Sequence, residues 1–236
     1  MRDHLSRLGR LDLMKAIDAN VLRYYEKNPA SSPDARRLYA ESDLKYQNGK
    51  VLLALKELDE ASAAFKDALA LAKLARSASL EDRRGESEVR PLMDLVEVSL
   101  LNSDFEATQR YCEEILGLCG KRFEVGMSEE SALHFSARAK CCLAKVLLAD
   151  GKVVEAVRSL ELLSSETFLY LKNSNARSAL VHGDLILIHV VLSECYGAMA
   201  GSAPEIEAAL SGISLAKQVP EALKDNRFLE IEGSAY

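Results

Sequence analysis

Four histidines and five cysteines are the residues of this 236-residue chain best suited to chemistry, and their spacing limits what they could do. The histidines are His4, His134, His182 and His189. His182 and His189 are seven apart, two helical turns or about 10 Å along an axis, too far to share one zinc. No CxxC or HxxxH supplies further ligands, so no metal site is expected. His189, inside "LILIHVVL", reads as a core or groove histidine with one hydrogen-bond partner. The cysteines are Cys112, Cys119, Cys141, Cys142 and Cys195, an odd number without framework spacing. They suit a reducing compartment, and the expected location is the cytoplasm, with the nucleus as the other choice. On a helix Cys141 and Cys142 point about 100° apart, as buried and inert thiols do.

The hydroxyls and carboxylates offer no reacting pair either. Ser31–Ser32 and Ser164–Ser165 read as helix-end residues, with Ser32 capping a helix that starts at Pro33. "SEES" at 128–131 starts another helix. Glu113–Glu114 and Glu129–Glu130 are adjacent in sequence, hence on different helix faces, and cannot form a dyad. No glycine-rich phosphate loop occurs. The expectation is a non-enzyme without cofactor.

Composition then sets the scaffold. Hydrophobic residues make up 48% and charged ones 28%, while Gly (12), Pro (5) and Trp (0) are scarce, a profile that favours helix. A net charge of −6 argues against nucleic-acid or membrane-surface binding. The pairs Arg36–Arg37 and Arg83–Arg84 each lie beside acids and read as solvated faces. "MRDHLSRLGRLDLMKAID" interrupts every apolar run with a charge, so no signal peptide is expected at the start. The longest apolar stretch, "LILIHVVL" at 185–192, is too short to span a bilayer, which needs about 20 residues, and reads as a buried helix segment.

Self-similarity carries the strongest signal. "NGKVLLALKELDEASAAFKDALALA" spaces Gly49, Ala61, Phe65 and Ala68. "DFEATQRYCEEIL" sets Ala107 and Tyr111 in the same places, and "KVVEAVRSLELL" sets Ala156 and Leu160 there after the turn at Gly151. "EIEAALSGISLAKQVP" adds Ala209, Ile213 and Ala216, with Gly197 twelve residues upstream, as Gly49 is of Ala61. With Ala16, the marker alanines step by 45, 46, 49 and 53 residues. Small residues at these intervals let two helix axes approach, and Phe65 then fills the layer.

This pattern resembles the tetratricopeptide repeat, although the steps exceed that family's usual 34 residues. The resemblance implies an all-α fold of antiparallel helix pairs stacked in a right-handed superhelical solenoid, with nine to eleven helices and no sheet. Residues 1–33 form N-terminal helices, a partial repeat or cap; 34–219 hold about four repeats; 220–236 form a capping helix or tail. All belong to one continuous domain. The surplus length falls at 77–88, 120–131 and 172–183, the expected connections between pairs.

By the same resemblance, the first helices line a concave wall that binds peptides or partner helices. One version of that wall is a clamp for a terminal carboxylate. It needs Lys and Asn where this chain has Tyr46 and Lys50, Asn where it has Met93, and Lys and Arg where it has Arg138 and Cys142. The clamp is therefore rejected. What remains on the inferred wall is Tyr46, Lys50, Arg138 and Lys145, with Glu194 further along. Three cations there suit an acidic or phosphorylated segment of a protein or peptide partner. The function read from the sequence is a non-catalytic scaffold or adaptor. Its alternatives are a structural subunit of a large assembly (of the lid or cohesin-loader type) and the repeat module of a larger enzyme such as a prolyl isomerase.

Overall fold

The computed structural model describes residues 10–27, 34–79, 84–173 and 178–199. Among the described residues there are nine helices and no strand. They are α1 (Leu11–Lys27), α2 (Ala35–Ala54), α3 (Leu58–Ala78), α4 (Glu86–Leu101), α5 (Phe105–Gly120), α6 (Arg122–Val125), α7 (Glu129–Ala149), α8 (Val153–Asn173) and α9 (Ala179–Ala198). The chain packs as two compact units, divided between Met127 and Ser128. In the first, α2 pairs with α3 and α4 with α5, and α1 lies on α2. In the second, α7 pairs with α8, and α9 packs on both.

Each pair is closed by one and the same turn. Lys56, Ser103 and Gly151 stand at φ 61°, 55° and 75°, in the left-handed region. The next amide in each case reaches back five residues: Glu57 N–H to Leu52 O, Asp104 N–H to Ser99 O, Lys152 N–H to Leu147 O, at 3.0, 2.8 and 2.8 Å. The left-handed residue itself donates to the carbonyl three residues back, at 2.9 to 3.0 Å. These bonds satisfy the carbonyls orphaned at the helix end and turn the chain back on itself. Only the third turn uses glycine, the residue without steric penalty there.

Counting from these turns corrects the repeat register. The first core position of the second helix lies five residues after the left-handed residue, at Ala61, Thr108 and Ala156. The buried series then runs Ala61, Phe65, Ala68, Ala72; Thr108, Cys112, Ile115, Cys119; and Ala156, Leu160, Leu163, Thr167. Ala107 is buried too, but Tyr111 is only half-buried, with the Arg110 guanidinium 5.3 Å from its ring centre. The middle repeat is therefore read one residue early when alanine is taken as its marker. Thr108 and Cys112 fill the small positions instead, and Thr108 Oγ lies 2.9 Å from Ser99 Oγ on the paired helix. Gly197 is exposed at the end of α9, and Ala16, exposed on α1, marks no close contact. Ala209 lies outside the described residues.

The close approach expected at Gly49 is present. A Cβ at Gly49 would meet Phe65 Cε1 at 2.5 Å and Cδ1 at 2.6 Å, so α2 and α3 touch through the glycine backbone. Tyr46 packs on the same ring, its centroid 5.9 Å away. Ser42 Oγ donates to Ala68 O at 2.7 Å across the pair.

Helix starts follow the usual capping chemistry. Asp34, not Ser32, caps α2, its carboxylate accepting from Arg36 N–H at 3.0 Å; Ser32 lies outside the described residues. Asp104, Ser128 and Ser178 cap α5, α7 and α9. The connection after α5 is built rather than loose. The single turn of α6 ends at Gly126 (φ 68°), Val125 and Met127 are buried, and Val125 O accepts from Gly85 N–H at 2.7 Å. The stretch "LILIHVVL" lies within α9. As a whole, Leu180–Ala198 is long and apolar enough to cross a membrane by length and composition, but half of it is buried in its unit. Its partners there include Ala137, Cys141, Leu160 and Leu163.

Two substitutions test this packing. Gly49→Ala should displace Phe65 and cost about 1–3 kcal/mol, read as a lower melting temperature; an unchanged melt would show that the glycine–ring contact contributes nothing. Ser103→Gly should stabilise by about 1 kcal/mol by relieving the left-handed strain, since the Ser103 side chain is exposed. A lower melting temperature would contradict that reading of the turn.

Candidate functional site

The first helices of successive pairs are joined by polar contacts, and these contain Lys50, Lys145 and Glu194 of the residues inferred for the binding wall. In the first unit, Lys50 Nζ on α2 lies 2.9 Å from Asp94 Oδ1 on α4. Asp94 is buried, so the lysine neutralises a carboxylate taken out of water. The sequence treats Lys50 as a free cation; the structure ties it to a partner. Tyr46 is half-buried against Phe65 and braces the pair from the same side.

In the second unit, α7 and α9 are linked at three heights. Ser178 Oγ donates to Glu130 near the start of both helices. His134 Nδ1 lies 2.9 Å from both carboxylate oxygens of Asp184. Lys145 Nζ sits 3.7 Å from Glu194, an exposed ion pair too long for a hydrogen bond. Between the second and third contacts stands Arg138, half-buried, which makes no hydrogen bond or ion pair among the described residues. Its charge is still felt by Asp184 and Cys141.

The electrostatics of this face follow from burial. Desolvation pushes the Asp184 carboxyl above its ordinary value, while the hydrogen bond and charge of His134, and the charge of Arg138, pull it down. Burial also raises the Cys141 thiol, so strongly that it stays protonated at any ordinary pH. None of the five cysteines is in a disulfide, and only Cys142 is not fully buried. His189 behaves as expected, with one partner: its Nε2 lies 3.3 Å from Ser164 Oγ, and burial lowers its pKa. Its Nδ1 is buried with no partner among the described residues, so no described carboxylate orients this serine–histidine pair as a catalytic triad requires.

Sequence reasoning does not bring His134 and Asp184 together. They are 50 residues apart, close to one repeat step, and that spacing is the only signal the sequence offers for their meeting. Glu88 gives no signal either; it is buried at the start of α4, 2.7 Å from Arg76 Nε on α3, and its carboxyl is raised by desolvation.

No protein-family model matches the sequence, and no curated protein matches it significantly. Solved structures do. The chain is similar to a kinesin light chain-like protein of Podosopora anserina with nearly identical TPR-like repeats. The TM-score is 0.60 at 15% identity, covering 93% of this chain and 93% of that one. It is also similar to BtubC (BKLC) from P. vanneervenii, at a TM-score of 0.62 and 12% identity, covering 96% and 83% of the two chains. The fold is thus that of TPR-like helical repeats.

A carboxyl whose folded pKa lies above its unfolded value holds more protons when folded. The stability that Asp184 contributes is therefore greatest in acid and falls as pH rises from the ordinary 3.8 through its higher folded value. Thermal melts across that range should show wild type losing ground to Asp184→Asn as pH rises. A difference between the two that stays constant with pH would contradict the raised carboxyl.

Proposed function

We propose that the chain is a non-catalytic interaction scaffold that holds a peptide or partner helix against the first helices of its pairs. The fold supports this reading most: stacked helix pairs bury their second-helix series in the core and leave first-helix positions such as Lys50, Arg138 and Lys145 at the surface. The cations at 50 and 145 are balanced by Asp94 and Glu194, so the net attraction for an anion centres on Arg138. Its guanidinium carries five donors in a planar fork, the geometry that matches a carboxylate or phosphate. The partner we infer is an acidic or phosphorylated segment, met in the cytoplasm or nucleus where free thiols persist.

Selection from a random peptide library tests this. Acidic sequences should be enriched and should bind less tightly as salt rises. Arg138→Glu should weaken them by about 1.5–3 kcal/mol, the worth of a hydrogen bond to a charged group, in a chain whose circular dichroism still shows it folded. If Arg138→Glu selects and binds the same peptides as wild type, the first-helix face is not the site.

A further inference from the structure

The first helices of the three pairs each end two residues before the left-handed residue of their turn, so the turns set a common register for them as well. Seventeen residues before the left-handed residue stand Tyr39, Glu86 and His134; thirteen before it stand Asp43, Arg90 and Arg138. In the second pair these two positions form an ion pair, Glu86 with Arg90 Nη2 at 2.8 Å. In the third, a histidine replaces the glutamate and reaches across to Asp184 on α9, 2.9 Å away. Arg138 is thereby left without a paired carboxylate among the described residues, one helical turn from the imidazole. The charged links between first helices also differ in kind. Lys50–Asp94 and Lys145–Glu194 rest on lysine, a side chain that ordinarily keeps its charge up to about pH 10. His134–Asp184 joins the two side-chain types that ordinarily change charge at about pH 6.5 and about pH 4.

A proton taken up by this pair makes it one charge more positive, whichever of the two side chains carries it. The charges that act on Asp184 are those of His134 and Arg138, both on α7. Cys141, also on α7, adds none because its thiol stays protonated, and no group of α8, the other helix packed on α9, is among them. We propose that the His134–Asp184 pair is a proton-operated control on the anion site at Arg138, which holds an acidic or phosphorylated segment more tightly once the pair has taken up a proton. This inference rests on the function proposed above. The ionised Asp184 competes with an arriving anion for the field of Arg138; the neutral carboxyl does not. Linkage is reciprocal, so a bound anion favours the proton on the pair by the same factor. Burial raises the Asp184 carboxyl above its ordinary 3.8, against the pull of His134 and Arg138. Uptake therefore begins above that value, and affinity for an anion falls as pH rises through the titration of the pair.

Titration calorimetry of the full chain with a short tyrosine-sulfate peptide tests it, because a sulfate ester keeps its charge at every pH used. Wild type should lose about threefold to tenfold in affinity as pH rises from about 4.5 to about 8, the size expected of one charge acting through a half-buried site. Repeating the titration in buffers of different ionisation enthalpy should show net proton uptake on binding, largest where the affinity changes most. Asp184→Asn should bind about as tightly as wild type does in acid, and equally so across the range. Arg138→Gln should lose binding at every pH. A wild type that binds through Arg138 with neither pH dependence nor proton uptake would overturn this inference and leave the proposed site standing. The proton count decides that even where Asp184→Asn fails to fold. An Asp184→Asn chain whose pH profile matches that of wild type would overturn it too. If Arg138→Gln binds as wild type does, or wild type does not bind at all, the site fails and this control with it.

Discussion

Phe65 occupies the space that any side chain at position 49 would need, and much of the first unit rests on that exclusion. With a hydrogen in place of a Cβ, α2 can press its backbone on the ring, which closes the pair to a short interaxial distance. Tyr46 then covers the ring from the same helix as Gly49, and Ala61, Ala68 and Ala72 are buried on the same helix as Phe65. The other pairs reach the same end with different residues. Thr108, Cys112 and Ile115 fill the second pair, and Ala156, Leu160 and Leu163 the third. What is kept is the volume and spacing of the layer, the quantities to which a close-packed interior is sensitive.

Polar contacts do a different job. Leu185, Ile188 and Val191 of α9 meet apolar neighbours from α7 and α8. Such contacts favour closeness and say little about vertical position. The buried Asp184 is selective: it is costly anywhere except beside His134, so it fixes the height of α9 against α7. Lys50 with Asp94 acts similarly between α2 and α4. The cations inferred from sequence as a binding wall are in part the fasteners of that wall.

The fold is legible in the sequence because its signals are local. Glycine, small residues and one aromatic at fixed intervals give helix pairs directly, and the connections at 79–85, 121–128 and 174–178 fall within or beside the stretches of surplus length. The register of the middle repeat is misread because alanine is not its small residue. Threonine serves instead, with its hydroxyl satisfied by Ser99 and by the carbonyl of Asp104. The site is less legible for a related reason. Whether Lys50 is free or paired depends on a residue 44 positions away, and helical periodicity does not report which polar groups meet across a layer.

The repeated turn also governs how this chain can change length. Lys56, Ser103 and Gly151 close their pairs with the same pattern of hydrogen bonds, and only the backbone conformation is common to all three. One residue inserted at such a turn would rotate the following helix by about 100°, carrying its charged face into the core and its small residues into water. An insertion between pairs carries no such penalty when it leaves the helices in phase. Insertions and deletions should therefore be tolerated between pairs and purged within them, so that the hairpin, rather than the single helix, is the heritable unit of this architecture.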